Sequence, residues 1–244
     1  MRRSASRRAA PSTASPSRRR RLLGVAGALV VFGAVIGVTQ ISRADENGSA
    51  ARTKAISING LDVIANSCAG SRLQPHDGFQ KGDRCVSTAF GEVASAANNA
   101  SLLIVQAPRT VRQNQAFTLQ VSTRNLIRDR FLAAGQGGYY VESSVLQGGI
   151  VRGHFHTACR SLQSTQSAPA NPEAVPEFFV ATEDKKGGRQ ADTVSIQVPG
   201  IPTAGPLQCS SWAGDGSHRI PMMERANQTP AADSVRIQVL RGRG

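Results

Sequence analysis

The sequence predicts an all-β protein: a single elaborated antiparallel β-sandwich with long loops, preceded by an N-terminal export or transmembrane helix. Three observations predict it. A charge-free apolar run lies near the N-terminus, four cysteines come after it, and short segments of period-2 apolar alternation recur down the rest of the chain.

The leader comes first. "MRRSASRRAAPSTASPSRRRR" (1–21) is basic and lacks large apolar residues, so it reads as a disordered N-region. "LLGVAGALVVFGAVIGVTQI" occupies 22–41, and about 20 apolar residues are enough to cross a bilayer as a helix. Arginines ahead of the run direct the downstream chain outward. Residues 22–44 therefore read either as a cleaved signal ending in "SRA" before Asp45, or as an uncleaved signal-anchor. The four consecutive arginines also meet a loose twin-arginine pattern. Either way residues 45–244 are expected outside the membrane, at the cell surface or secreted. The charge distribution agrees. Of the formal +13, nine arginines lie within 1–44 and the remainder carries only +4, so the basicity marks a leader and not a nucleic-acid surface.

Residues 45–54 read as a polar tether, and 55–244 as the folded domain. Cys68, Cys85, Cys159 and Cys209 make an even set in an exported chain, which points to two disulfides. Three pairings are open. Cys68–Cys85 and Cys159–Cys209 close the shorter loops and are the pairing expected. No C-x₂-C pair supports a cysteine metal site.

The strands come next, in chain order. "AISI-NG-LDVI" reads as a hairpin, because Asn59-Gly60 favours the type I′ turn. Its register places Ile58 opposite Leu61, Ser57 opposite Asp62 and Ile56 opposite Val63. "SLLIVQA" (101–107) is apolar on both faces and is expected in the centre of a sheet. "AFTLQVST" (116–123), "DTVSIQV" (192–198) and "DSVRIQV" (233–239) alternate cleanly, as half-buried strands do. "GYYVESSVL" (138–146), "GIVRGHFHTAC" (149–159) and "PEFFVATE" (176–183) complete the strand set. "NLIRDRFLAA" (125–134) alone has helical spacing, with Ile127 and Phe131 four apart. Loops rich in Pro, Gly, Ser and Ala cover 163–176, 184–191 and 199–206. Many short strands with such punctuation argue a sandwich or related barrel.

Two resemblances add to this reading. "APRTVRQNQAFTLQVSTRN" (107–125) resembles the opening strands of bacterial immunoglobulin-like modules, which implies a sandwich. The exported part, with "GHFHTACR" and "SWAGDGSHRIPMMERANQTP", is similar to a group of secreted actinobacterial proteins, some labelled Pecanex-like. That likeness implies export and a bacterial source, and no particular chemistry.

The nearest approach to chemistry is "GHFHTACR" (153–160). In a strand, Val151, Gly153, Phe155, Thr157 and Cys159 share one face, and Arg152, His154, His156, Ala158 and Arg160 the other. Two imidazoles one residue apart can reach one zinc or copper ion, with His218 as third ligand and His76 or Asp215 behind it. The same row reads equally as a solvated Arg-His-His-Arg face. It also reads as an anion site built on Arg152 and Arg160. No G-x-S-x-G or H-E-x-x-H is present, and Asp215, Ser217 and His218 lie too close in sequence to read as a triad. The expectation is a non-enzymatic envelope or secreted module without a cofactor, meeting a cell-wall polymer or another envelope protein. The alternative is a copper or zinc protein using His154, His156 and His218. No nucleic-acid partner is expected. The membrane is one only through 22–41 if the leader stays.

Overall fold

Alternating side chains set most of the strands. The computed structural model describes Ile56–Ile58, Leu61–Val63 and residues 67–242. The N-region, the apolar run, the tether and the Asn59-Gly60 turn lie outside the described residues. Strands β1 (Ile56–Ile58) and β2 (Leu61–Val63) pair antiparallel in the expected register, Ile56 with Val63 and Ile58 with Leu61.

The rest is all-β, in two sheets. The smaller contains β3 (Ser101–Gln106), β5 (Phe117–Arg124) and β11 (Asp192–Val198), in the order β11-β5-β3. The larger has eight strands. Its path adds β4 (Thr110–Arg112), β6 (Leu126–Arg128), β8 (Ile150–Ser161), β10 (Lys186–Gly188), β12 (Gly205–Asp215) and β13 (Ala232–Leu240), in the order β10-β6-β8-β12-β13-β4. Strands β7 (Leu146–Gln147) and β9 (Phe178–Thr182) also pair with β8. The twelve-residue β8 is the spine, with β6 and β7 along its start and β12 and β9 along its remainder.

One hydrophobic cluster draws on both sheets. Leu119 and Val121 of β5, Ile196 and Val198 of β11, Phe155 of β8, Leu207 and Ala213 of β12, and Ile237 and Val239 of β13 all belong to it. Each lies on the apolar side of its strand, so one phase of the pattern fills the core; the other phase meets water on β5, β11 and β13 but is also covered along much of β8. Truncating a fully buried member such as Leu119 or Phe155 to alanine costs about 2–5 kcal/mol. The Cys159–Cys209 disulfide lies inside this cluster, where β8 and β12 pair those two residues in register. Cys68–Cys85 braces the loop region ahead of β3.

Four expectations need correction. The larger sheet is mixed and not purely antiparallel, because β6 runs parallel to β8 and β4 parallel to β13. β3 is an edge strand, with Leu102 and Ile104 inward and Leu103 and Val105 about half exposed, so its two apolar faces do not mark a central position. The segment expected as a helix at 125–134 begins with β6 instead. Asn125 takes a left-handed φ of 56° and its side-chain amide donates to the Ala97 and Asn99 carbonyls. Leu126 and Arg128 are then both buried at strand spacing, which outweighs the i,i+4 pair. Residues 138–145 form no strand, and Tyr140 has a φ of 56°. Tyr139 and Tyr140 consequently pack on each other, with ring centroids 4.0 Å apart.

Candidate metal centre

Strand alternation puts His154 and His156 on the face of β8 opposite the core. Register does the next step. β12 runs antiparallel to β8, with Cys209 opposite Cys159 and Gly214 opposite His154. The chain then turns at 215–218 and lays His218 back over Gly214. That turn is held by Asp215, whose Oδ1 accepts from the Ser217 and Arg219 backbone N–H groups and whose Oδ2 pairs with the Arg219 guanidinium at 3.0 Å. Burial holds the Asp215 carboxyl above its usual range in spite of that pairing. His218 takes a φ of 69°, a left-handed conformation that the turn imposes. Two glycines make room: a Cβ on Gly153 would sit 1.9 Å from the Gly214 carbonyl oxygen, and one on Gly214 would press on the His154 ring.

Three ring nitrogens meet as a result. His154 Nε2 lies 3.0 Å from His156 Nε2 and 3.2 Å from His218 Nδ1, and the third edge is 3.3 Å. Nitrogens bound tetrahedrally to one ion at about 2.0–2.1 Å stand about 3.3 Å apart. The triangle is therefore close to one face of such a site, and these three residues form a group able to hold a metal ion. Nearly all of it is out of water, with His154 fully buried and His156 and His218 less than a tenth exposed.

The segment after β6 covers the cluster and fixes its protons. Arg130 and Leu132 donate their N–H groups to the Gly153 and Gly216 carbonyls. Their own carbonyls face the imidazoles: Arg130 O lies 3.0 Å from His154 Nδ1, and Leu132 O contacts His218 Nε2. A carbonyl only accepts, so both of those ring nitrogens carry the proton. His154 Nε2 and His218 Nδ1 thus present bare lone pairs to the centre. Only His156 can place a hydrogen between the three nitrogens. Filling the site with protons is disfavoured too. Burial, with the charges on neighbouring imidazoles, depresses His154 to about 4 and His156 to about 3, and the Arg130 carbonyl only partly offsets this at His154.

Aromatic side chains ring the cluster. Phe131 meets His154 and His218 edge-on at 4.9 and 5.0 Å, Trp212 and Phe179 lie 5.2 and 5.3 Å from His156, and Tyr139 lies 5.5 Å from His218. His76 packs on Tyr139 and Tyr140, with its Nδ1 accepting from Gly78 N–H. All four histidines, both tyrosines and the single tryptophan of the chain thus belong to one contact network. His76 and Asp215, the reserve ligands, are not in the triangle.

The solvated-face reading is corrected by this burial. Arg152 does not flank an open row, since Asp129 engages it bidentately at 2.8 and 3.1 Å. That also removes Arg152 from a free anion site. Arg160 stays exposed and donates to Gln208 at 3.2 Å. Sequence reasoning missed the carbonyls of Arg130 and Leu132, and the lid that carries them. The glycines beside the histidines were the available signal.

A family model described as CLU5d N-terminal domain matches residues 100–240, more than half of the chain and the whole span from β3 to β13, with the three histidines inside it. No curated protein matches the chain.

Proposed function

The chain belongs to the CLU5d N-terminal domain family, and from that premise we propose that it is an exported, disulfide-braced β-sandwich that binds copper or zinc through His154, His156 and His218. One observation carries the reading: three imidazole nitrogens lie 3.0–3.3 Å apart while two of the rings direct their N–H groups outward to backbone carbonyls. Such a triangle has more lone pairs than hydrogens, and a cation relieves it. Neutral imidazoles suit zinc and copper, and carbonyls behind two of them are the usual orienting partners. Three protein ligands leave a fourth position for water or a substrate atom. Export is supported by the arginine-flanked apolar run and by two disulfides, which fit an oxidising compartment.

Elemental analysis of the protein secreted by its own host tests this. One equivalent of copper or zinc is expected, lost in a His154→Ala, His156→Ala double variant and kept in His76→Ala. Protein without stoichiometric metal, whose behaviour is the same in the double variant, would end the reading.

A further inference from the structure

The same face of the larger sheet continues beyond the histidines, and its residues fall in rows across the strands. Register places Arg160, Gln208 and Arg236 in one row. The next holds Phe179, Ala158, Ser210 and Ser234, and the next Ala181, His156, Trp212 and Ala232. Rows on one face lie about 6.5–7 Å apart, and neighbouring strands about 4.8 Å. The middle row is small where the outer rows are large. By register and side-chain size, Ala158, Ser210 and Ser234 make a low strip, a shallow trough, across β8, β12 and β13. Trp212 stands on one side, packed on the buried His156, Arg160 and Arg236 stand on the other, and Phe179 lies at the β9 end, more than half exposed.

The chemistry of the trough is uneven in a useful way. Arg160 and Arg236 are exposed and enter no salt bridge among the described residues. Glu177, just ahead of β9, is committed to the Ser161 N–H and hydroxyl. Ser210 and Ser234 share one hydrogen bond of 2.7 Å, which leaves lone pairs and one hydroxyl hydrogen for a guest. An indole on one wall, hydroxyls on the floor and, opposite, two guanidiniums without a carboxylate partner among the described residues match a chain with apolar ring faces, many hydroxyls and regular anionic groups.

We infer that this trough binds an acidic polysaccharide, one bearing carboxylates or phosphates on its sugars, alongside the histidine cluster. Sugar C–H faces stack on Trp212, the hydroxyls meet Ser210, Ser234 and Gln208, and the anionic groups pair with Arg160 and Arg236. A nucleic acid fits less well, because two guanidiniums neutralise few phosphates. The inference goes beyond the metal reading and stands without it, since no trough residue except His156 belongs to the triangle.

Trp212 is the only tryptophan, so its fluorescence reports the site directly. The full chain, stripped of metal with a chelator, is titrated with polygalacturonate. A saturable emission change is expected. It weakens roughly tenfold or more in Arg160→Gln, Arg236→Gln and vanishes in Ser210→Phe, which fills the floor. Arg225→Gln, an exposed arginine outside the trough, binds as the parent does. Unchanged melting temperatures confirm that the variants fold, and His154→Ala binds the polymer normally even though it has lost any metal. Three outcomes overturn the inference: no saturable change with polygalacturonate, equal binding of a neutral glucan, or tighter binding of single-stranded DNA. None of them bears on the metal content, so the two readings fail separately.

Discussion

Two buried polar clusters sit a few residues apart on one stretch of chain, and they are opposites. Arg128, on β6, is 1% exposed, yet each of its five N–H groups has an acceptor. Nε and one Nη reach Asp184 at 2.9 and 3.0 Å; the Nη groups reach Asp192 at 2.8 and 2.6 Å, and one reaches the Thr123 hydroxyl at 2.6 Å. The hydrogen bonds all close, and the one surplus negative charge rests on two carboxylates that keep partial contact with water. Two residues later the same segment begins to cover His154, His156 and His218, and there the ledger of protons does not close. The first cluster is complete within the chain and ties β6 to β11 across the two sheets. The second is a cage of acceptors with no counterpart. Burying a polar group is tolerable when it is satisfied, so the cluster that stays unsatisfied is where a ligand is to be sought.

The largest effect is expected at the complete cluster. Arg128→Ala leaves two carboxylates without their cation, Asp184 keeping only the Lys186 N–H and Asp192 only the Thr123 hydroxyl among the donors around them. Breaking a buried pair by removing one partner costs about 3–5 kcal/mol, and the partial exposure of Asp184 and Asp192 puts this case near the lower end. Chemical denaturation measures it. A loss below about 1 kcal/mol would mean the cluster is no more than a surface ion pair, and the contrast would dissolve.

Next comes metal-dependent stability. If the histidine cage is completed by an ion, adding zinc or copper at a hundredfold excess over its dissociation constant raises stability by about 2.7 kcal/mol. His154→Ala should lose that increment entirely while the metal-free stability changes far less than in Arg128→Ala. Thermal melts with and without chelator give both numbers. A stabilisation that survives in His154→Ala places the ion elsewhere.

pH separates the clusters in a second way. Hydrogen bonds from Arg128 hold Asp192 below the usual carboxylate range; at Asp184 burial is the largest single influence and pushes upward, but the Arg128 hydrogen bonds and charge, together with backbone N–H groups, bring that carboxyl down as well. Those depressed carboxyls contribute stability that is present above an unfolded value near 3.8 and lost as pH falls through the lower folded values. In the metal-free protein the imidazoles fail earlier. Their folded values of about 4 and 3 lie below 6.5, so the unfolded chain binds the extra protons and stability declines as pH drops from 6.5 towards 4. Stability curves of chelated protein should therefore fall in two stages, and His154→Ala should flatten the upper one. A single stage below about pH 4 would show that the imidazoles are not held neutral by burial.

Much of the fold was legible because alternation is a local signal. β5, β8, β9, β11 and β13 follow from it, and the β1–β2 register follows from where Asn59-Gly60 lies. The disulfide pairing follows from loop length. The features that escaped depend on contacts distant in sequence. "NLIRDRF" has helical spacing, and pairing with β8 and β10, with Arg128 held by Thr123, Asp184 and Asp192, makes its first part a strand. Arg152 and Arg160 looked like the ends of a wet row; Asp129, 23 residues upstream of Arg152, takes the first out of play. The convergence of His154, His156 and His218 was readable from residue type and strand face. Their burial was not, because the lid that buries them has no apolar periodicity of its own.

The smallest effect probes how far the cage is built in advance. Gly214 faces His154 across the β8–β12 pair, and a Cβ there would stand 3.1 Å from Nε2 and 3.2 Å from Cε1. The ring would have to yield by a few tenths of an ångström. It cannot do so freely, because its other nitrogen is tied to the Arg130 carbonyl. Gly214→Ala should therefore cost about 1 kcal/mol in stability, the ordinary penalty of mild overpacking. Its metal affinity should fall roughly tenfold, as when an orienting partner of a ligand is lost. Calorimetric titration beside a denaturation curve reads both. Should stability drop while affinity holds, the imidazole is adapting to its ion, and the fixed triangle would not be the reason the site binds.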